Sequence, residues 1–243
     1  MWVDCQNCPL RTTSAFRPLE GAELDFVRSV KTGQRSLGPR TDIITAGDVL
    51  DSVFTLFSGW AIKYAMLDGR GRQILDILLP GDLIGLQAPM TGEIRHSVRA
   101  VTSVSICTLD WQRFRSIFDD QPELSQALVS TLLLEERRAD TRLLLIGQQR
   151  PLARLCYLFL ELRERLLRRG MIVDSSFELP LTYEQIGDTV GMSRSQVGAS
   201  LAEMKDRNWA RLAAGVLTIE DRSSMEDWCH YEPLGDPSKR ALI

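Results

Sequence analysis

Short apolar runs separated by turn residues dominate residues 16–109. β-Branched and aromatic residues are concentrated in five runs, at 42–45, 53–57, 60–66, 73–78 and 104–109. Many short strands at regular spacing predict an all-β sandwich or barrel for this part of the chain. Glycines in the intervening turns are expected to take a positive φ, because a side chain would clash there: Gly47, Gly59, Gly69, Gly71, Gly81 and Gly85.

The hydrophobic period changes after Pro122. Up to Gly147, core-type residues recur at three- and four-residue steps, which predicts one helix of about 25 residues, roughly 37 Å long. One small domain does not need so long a helix, so we expect it to pair with the same helix of a second subunit. A helix buried in the chain's own core is the alternative. The residues expected at the subunit contact are Leu124, Leu128, Leu132, Ala139 and Ile146.

The last third of the chain has the pattern of a helix-turn-helix. Gly147 and Pro151 predict a helix stop, and an amphipathic helix over 152–169 and a short strand near 177–179 follow. Thr182 with Gln185 predicts a capping box, and Ser193 predicts the cap of a second helix. Gly187 would let the two helices pack closely, and Gly191 would form the turn between them.

The first turns of that second helix would face base edges in a DNA major groove. Arginine can donate two hydrogen bonds to guanine and glutamine can pair with adenine, which makes Arg194 and Gln196 the leading base contacts. Two short runs around Gly215 predict a wing. A helical hairpin with no role in DNA binding is the alternative. The predicted DNA-binding residues are Thr182, Ser193, Arg194, Ser195, Gln196, Ala199, Ser200 and Lys205.

Composition and charge narrow the classes of function. The net charge of −3 argues against a purely electrostatic coating of nucleic acid, although residues 192–211 carry four basic and two acidic side chains. Only two histidines are present, so Ser-His-Asp and zinc–histidine enzymes are poorly supplied, and we expect no enzyme. No apolar run approaches the roughly 18–20 residues that cross a bilayer. With Asp4 where a secretory signal would be basic, we expect a cytoplasmic protein without membrane contact.

Several motifs in order resemble one protein family over nearly the whole chain. They are I-T-A-G-D at 44–48, L-F-S-G at 56–59, L-P-G-D-L-I-G at 79–85, the long helix, and M-S-R-S-Q-V-G at 192–198. The sequence resembles the family of the cyclic-AMP receptor protein and the fumarate–nitrate reduction regulator. The resemblance implies an α+β protein: an N-terminal β-roll of the jelly-roll type, a long dimerisation helix and a C-terminal winged helix-turn-helix.

The resemblance also implies partners and boundaries. Such proteins are homodimeric transcription regulators on two-fold symmetric sites in double-stranded DNA, and activators among them contact RNA polymerase. The expected divisions are a cysteine-containing leader at 1–15, the β-roll effector domain at 16–120, the dimerisation helix at 121–148, the winged helix-turn-helix at 149–222 and a tail at 223–243.

Departures from the family pattern argue against cyclic AMP as a ligand. Cyclic-nucleotide binders carry a glutamate after the glycine that matches Gly85, and an Arg-Ser pair on the cyclic phosphate. This chain has Leu86 and the pair His96-Ser97 at those places. A histidine does not replace a permanently charged, two-pronged guanidinium, so cyclic AMP is not expected to bind. Ala199 lacks the charged base-reading partner of either branch, so neither branch's target sequence can be transferred.

Three cysteines resemble the cluster ligands of the redox-sensing branch of the family. The chain resembles this branch more than it resembles the cyclic-nucleotide binders. Cys5 and Cys8 are spaced Cys-x-x-Cys, and Cys107 ends a predicted strand. The resemblance implies that these three hold an iron–sulfur cluster or a metal and report oxygen or redox state. The fourth ligand would fall near Ser14, and an oxygen ligand such as Asp4 would have to replace it.

Three alternatives stay open for these cysteines. The regulator would bind DNA constitutively, without any cofactor, if Cys5 and Cys8 are free thiols and Cys107 is a small core residue. Thiol chemistry without a cluster is the second reading. A thiol–disulfide enzyme using Cys5 and Cys8 is the third, but it would need a βαβ context, and an all-β segment follows the pair instead.

Overall fold

The fold consists of two compact units. A computed structural model of the chain describes residues 2–67, 71–172, 174–233 and 242. One unit comprises Met1–Leu133 with Asp236–Ile243, and the other comprises Leu134–Gly235. The predicted α+β class is confirmed, with a β-sheet domain, a long helix and a helix-turn-helix in this order. Among the described residues, no helix combines the length and the hydropathy that a bilayer crossing needs.

Antiparallel strands build the first unit. Two four-stranded sheets form, with strand orders β1-β8-β3-β6 and β2-β7-β4-β5. The strands are β1 (Lys31–Leu37), β2 (Asp42–Ile44), β3 (Ser52–Ser58), β4 (Ala61–Leu67), β5 (Gly71–Leu78), β6 (Leu83–Ile84), β7 (Ser97–Ala100) and β8 (Val104–Asp110). Apolar side chains from both sheets fill the space between them, with Leu56, Ala61 and Ile106 fully buried.

All five predicted strands are present, but strands β1, β6 and β7 and one longer helix before them were not predicted, and β6 has only two residues. Helix α1 (Gly21–Val30) and strand β1 carry many polar residues, and β7 is four residues long, so none shows an apolar run. The positive φ expected at Gly47, Gly59, Gly81 and Gly85 is confirmed. The same expectation is wrong for Gly71, which begins strand β5 with ordinary backbone, and Gly69 lies outside the described residues.

Short helices lead from the sheets to the long helix. These are α2 (Gln87–Thr91), α3 (Trp111–Phe114) and α4 (Ile117–Asp120), and α5 then runs over Pro122–Gln148. The predicted long helix is therefore confirmed, but its expected subunit contact needs correction. Leu124 and Leu128 are buried in the first unit's own core, with 0% and 1% of their surface exposed, because they pack against Val53 and Phe114.

A different set of apolar side chains on α5 faces outwards. Leu132 is 42% exposed and Ala139 is also exposed, whereas Ile146 is half-buried. The exposed large apolar residues of α5 are Val129, Leu132, Leu133, Leu143 and Leu144. Leu132 and Leu133 lie three and four residues after Val129, and Leu143 and Leu144 each lie about three turns after these two, so all five share one side of the helix.

The second unit is a winged helix-turn-helix. Its elements after α5 are α6 (Pro151–Arg168), β9 (Ser176–Glu178), α7 (Tyr183–Val190), α8 (Arg194–Asp206), β10 (Ala210–Ala213), β11 (Val216–Ile219) and α9 (Arg222–Cys229). The three strands form one antiparallel sheet in the order β10-β11-β9, so the predicted wing is confirmed. The tail expected from residue 223 instead begins inside α9, whose Trp228 ring lies 5.4 Å from the ring of Trp209.

Candidate nucleic-acid interface and thiol cavity

Two capping boxes begin the two helices of the helix-turn-helix. The Thr182 hydroxyl accepts from the Gln185 amide at 3.1 Å, and the Gln185 side chain accepts from the Thr182 amide at 2.9 Å. Ser193 and Gln196 repeat the arrangement at 3.2 and 2.9 Å. Each box satisfies two main-chain N–H groups that a helix start leaves without partners, so it determines where the helix begins. Both predicted caps are confirmed.

A glycine lets α7 and α8 approach each other. A Cβ atom on Gly187 would lie 2.3 Å from the Met192 carbonyl oxygen, closer than any real contact. Gly191, the turn residue, has a φ of 65°, which glycine adopts without strain. The apolar inner faces of the two helices are buried: Ile186, Val190, Val197, Leu201 and Met204.

The first two turns of α8 present most of the predicted base contacts to solvent. Arg194, Ser195, Gln196 and Ala199 are exposed, as are Thr182, Ser193 and Lys205. Ser200 does not belong to this surface: it is only 6% exposed, because it lies on the side of α8 that contains the buried Val197 and Leu201.

The capping box changes what Gln196 can offer to a base. Its side-chain oxygen already accepts the Ser193 amide, so only its NH₂ group is left to donate. Pairing with adenine needs one donor and one acceptor on the same amide. Gln196 can therefore donate to an acceptor in the groove, but it can make the expected two-bond pair with adenine only if the cap opens.

Ion pairs decide which basic residues of this unit are available to DNA. Arg207 pairs with Glu203 and lies 4.7 Å from the rings of both Trp209 and Trp228. Arg211 lies 3.6 Å from Glu220. Of the four basic residues counted in 192–211, Arg194 and Lys205 form no ion pair within the described part of the chain. Their charges remain free to meet phosphate or base edges.

The His96-Ser97 pair is buried and hydrogen-bonded within the β-roll. The Ser97 hydroxyl accepts a hydrogen bond from the Ala46 amide at 3.0 Å. His96 is 8% exposed, and its burial together with the charge of Lys63 lowers its pKa to about 4. It is therefore uncharged at neutral pH, so it does not supply the cation that a cyclic phosphate needs.

The predicted cysteine set comes together in the first unit. Cys5, Cys8 and Cys107 line one cavity, with Lys31 and Arg11. The other lining residues are Val3, Leu10, Leu19, Leu24, Val27, Thr55, Phe57, Leu109 and Leu242. This lining of thiols and cations contains no carboxylate among the described residues. The two cations lower the cost of a negative charge in the cavity, although most of the lining is apolar and favours neutral groups.

Lys31 fastens the leader over the cavity. Its ammonium group donates to the Val3 carbonyl at 2.6 Å and lies 4.6 Å from the Trp2 ring centroid. Burial raises the pKa of all three cavity thiols, and the charge of Lys31 opposes this rise only in part. The thiols are thus protonated at neutral pH. Sequence reasoning missed both Lys31 and Arg11, because no local pattern marks a cation that meets cysteines from distant segments.

The described residues do not form a four-ligand iron–sulfur site. Ser14, near the expected fourth ligand, is exposed and does not line the cavity. Asp4 accepts the Gln6 amide at 2.8 Å and pairs with Arg28 at 3.3 Å, so its carboxylate is already engaged. Within the described ranges, no three His, Cys, Asp or Glu side chains are arranged to hold a metal ion. Cys156 and Cys229 are buried in the second unit.

Protein-family models match both units. The model of the cyclic nucleotide-binding domain matches residues 34–121, and the model of the Crp-like helix-turn-helix domain matches residues 153–228. The match to a cyclic nucleotide-binding domain indicates the β-roll architecture, while Leu86 and the uncharged His96 replace the residues expected for a cyclic nucleotide.

Known regulators resemble the chain over most of its length. The transcriptional activator protein FnrL of Cereibacter sphaeroides is 27% identical over 90% of this chain and 85% of that protein. The fumarate and nitrate reduction regulatory protein of Escherichia coli is 22% identical over 92% of this chain and 89% of that protein. The structure of FixK2 from Bradyrhizobium japonicum, 21% identical, covers 81% of this chain and 96% of that chain with a TM-score of 0.73, which establishes the fold.

Two glycine-to-alanine substitutions distinguish the effect of the close approach of α7 and α8 on stability from the effect of helix propensity. Gly187→Ala should lower the free energy of unfolding by about 1–3 kcal/mol, because its methyl group would collide with the Met192 carbonyl. Gly198→Ala, in α8 with nothing within 4 Å of the added carbon, should raise it by up to about 1 kcal/mol. Urea denaturation followed by tryptophan fluorescence measures both. Equal changes in the two variants would contradict the close approach.

The buried His96 predicts a pH dependence of stability. Unfolded, it binds a proton below about pH 6.5, whereas in the folded protein it does so only near pH 4. Stability should therefore fall as the pH is lowered across this window, by at most about 1.4 kcal/mol per pH unit. Urea midpoints measured from pH 7 to pH 5 should fall less steeply in His96→Gln than in the wild type. Parallel pH profiles would show that His96 is not the group responsible.

Proposed function

The chain belongs to the Crp/Fnr family of DNA-binding transcription regulators, and from this premise we propose that it binds two-fold symmetric DNA sites as a homodimer and responds to redox state through Cys5, Cys8 and Cys107. The family consists of transcription regulators and not of enzymes. As an activator the bound dimer would contact RNA polymerase.

The exposed start of α8 carries the proposal on DNA binding. The capping box at Ser193 and the close approach at Gly187 leave this turn exposed, and Arg194 lies on it without an ion pair in the described residues. A guanidinium group so placed can donate two hydrogen bonds to guanine. Lys205 lies more than two turns further along α8, also has no ion pair within the part of the chain that the structure describes, and is suited to a phosphate contact.

The outward apolar face of α5 supports a homodimer. Leu143 and Leu144 are 72% and 63% exposed, and Val129, Leu132 and Leu133 extend the same face. A second copy of the helix is the natural cover for such a stripe, because identical apolar faces bury each other in a symmetric contact. A dimer would place two recognition helices on half-sites about 34 Å apart.

The thiol cavity supports the redox response. Oxidation of two of its cysteines by hydrogen peroxide would form one disulfide and two molecules of water, so that two thiols are lost and the peroxide is reduced. Because burial raises the pKa of the thiols, they would react slowly and stay reduced until the oxidant accumulates or the cavity opens. A disulfide to Cys107 would tie the leader to strand β8. An iron–sulfur cluster at the same cysteines is the second candidate, favoured by the similarity to the fumarate and nitrate reduction regulatory protein.

Replacing Arg194 tests the assignment of base reading. An operator is first selected from random-sequence DNA with the wild-type protein. Arg194→Ala should lose about 1–3 kcal/mol of discrimination per half-site while remaining a dimer in analytical ultracentrifugation. Lys205→Ala should instead weaken binding to all sequences alike and lower the salt dependence. Unchanged discrimination in Arg194→Ala would contradict the proposed recognition helix.

Anaerobic purification followed by iron, sulfide and visible-absorbance assays tests the cysteine site. We expect colourless, iron-free protein that loses two titratable thiols and changes its operator affinity after treatment with hydrogen peroxide. Cys107→Ser should abolish that response, whereas Cys229→Ser, at a buried cysteine of the other unit, should retain it. Brown protein with stoichiometric iron and sulfide would establish the cluster instead. Colourless protein whose thiol count and operator affinity do not change with peroxide would support the alternative of a regulator that binds DNA constitutively.

A further inference from the structure

Arg154 links the end of the long helix to the turn of the helix-turn-helix. It lies in the first turn of α6 and is half-buried. Its Nε donates to the carbonyl oxygen of Gln149 at 2.9 Å, directly after α5. Its Nη1 donates to the carbonyl oxygens of Val190 and Gly191, at 3.4 and 3.2 Å.

The carbonyls that Arg154 contacts are ones that helices leave without partners. The last carbonyl groups of a helix have no N–H group ahead of them, and they carry the negative end of the helix dipole. Arg154 meets such groups at the ends of both α5 and α7. One rigid, planar guanidinium can bond both ends together, whereas the single ammonium point of a lysine cannot span them in the same geometry.

An apolar contact accompanies these bonds. A Cβ on Gly191 would lie 3.2 Å from Cγ2 of Ile146, so the side chain of Ile146 from α5 already rests on the turn. Ser193, the cap of the recognition helix, follows two residues later. The last turns of α5 are thus connected to the turn before α8 in two ways, by the hydrogen bonds of Arg154 and by the apolar contact of Ile146 with Gly191.

We propose that Arg154 is a positioning residue that couples α5 to the recognition helix and so sets its orientation for DNA. This inference rests on the proposed function, since it assigns a role in the same DNA-binding unit. Arg154 differs from Arg194 in acting through main-chain carbonyls and not on DNA. Its loss should reduce the preference for the operator without removing a phosphate contact.

The substitution Arg154→Lys keeps the charge and removes the three-carbonyl geometry. The ratio of operator affinity to random-DNA affinity should fall about tenfold. The slope of log affinity against log salt should stay unchanged, because no phosphate contact is lost. Arg154→Gln serves as a second variant. Arg163→Ala is the matched control on the same helix, since Arg163 has no hydrogen bond or ion pair within the described residues.

Two results of the binding measurements would overturn the proposal. An unchanged affinity ratio with a lower melting temperature would show a role in stability alone. A salt slope that falls by about one in Arg154→Gln would show a direct phosphate contact. A wild type that shows no preference for any DNA sequence would refute the proposed function. Hydrogen exchange would then test separately whether Arg154 couples α5 to the start of α8. Faster exchange of the amides at 192–197 in Arg154→Lys would support it, and unchanged exchange would refute it.

Discussion

The helix-turn-helix depends on how closely α7 and α8 pass each other. The Met192 carbonyl oxygen occupies the space of a methyl group on residue 187, so only glycine permits this crossing. The crossing buries Val190 and Val197 and turns the start of α8 outwards. With the inner face so determined, the Ser193 capping box leaves Arg194 and Ser195 exposed, while it engages the oxygen of Gln196. Packing thus decides which polar groups a duplex can meet.

Electrostatic pairing refines the same surface. A net charge of −3 gives the protein no general attraction to DNA. What matters is which cations are already neutralised: Glu203 and two indole rings hold Arg207, and Glu220 is close to Arg211. Among the basic residues of 192–211, the charges without an ion pair in the described residues are thereby those of Arg194 and Lys205 on α8, where they can serve in specific contacts.

The thiol cavity differs from the exposed surface of α8 because its polar groups are partly buried. There the thiols are half-buried in a mostly apolar lining, so the neutral thiol is the stable form, and a buried cation at Lys31 lowers the cost of any negative species that forms. Helix α5 takes part in both units: Leu128 belongs to the core of the first, and Ile146 contacts Gly191 in the second. Under the proposed function, a change in the packing of α5 would therefore alter the population of DNA-competent states.

Local interactions were readable from the sequence. The capping boxes at Thr182 and Ser193 join residues three apart, and the apolar periods of the strands and of α5 follow directly from backbone geometry. Only the tertiary structure decided which side of a periodic element faces the chain's own core. It placed Leu124, Leu128 and Ser200 inside, because periodicity defines a face but not its neighbour. It also brought Lys31 to the cysteines and Arg154 to three carbonyls, since contacts between distant segments follow from packing and leave no local pattern.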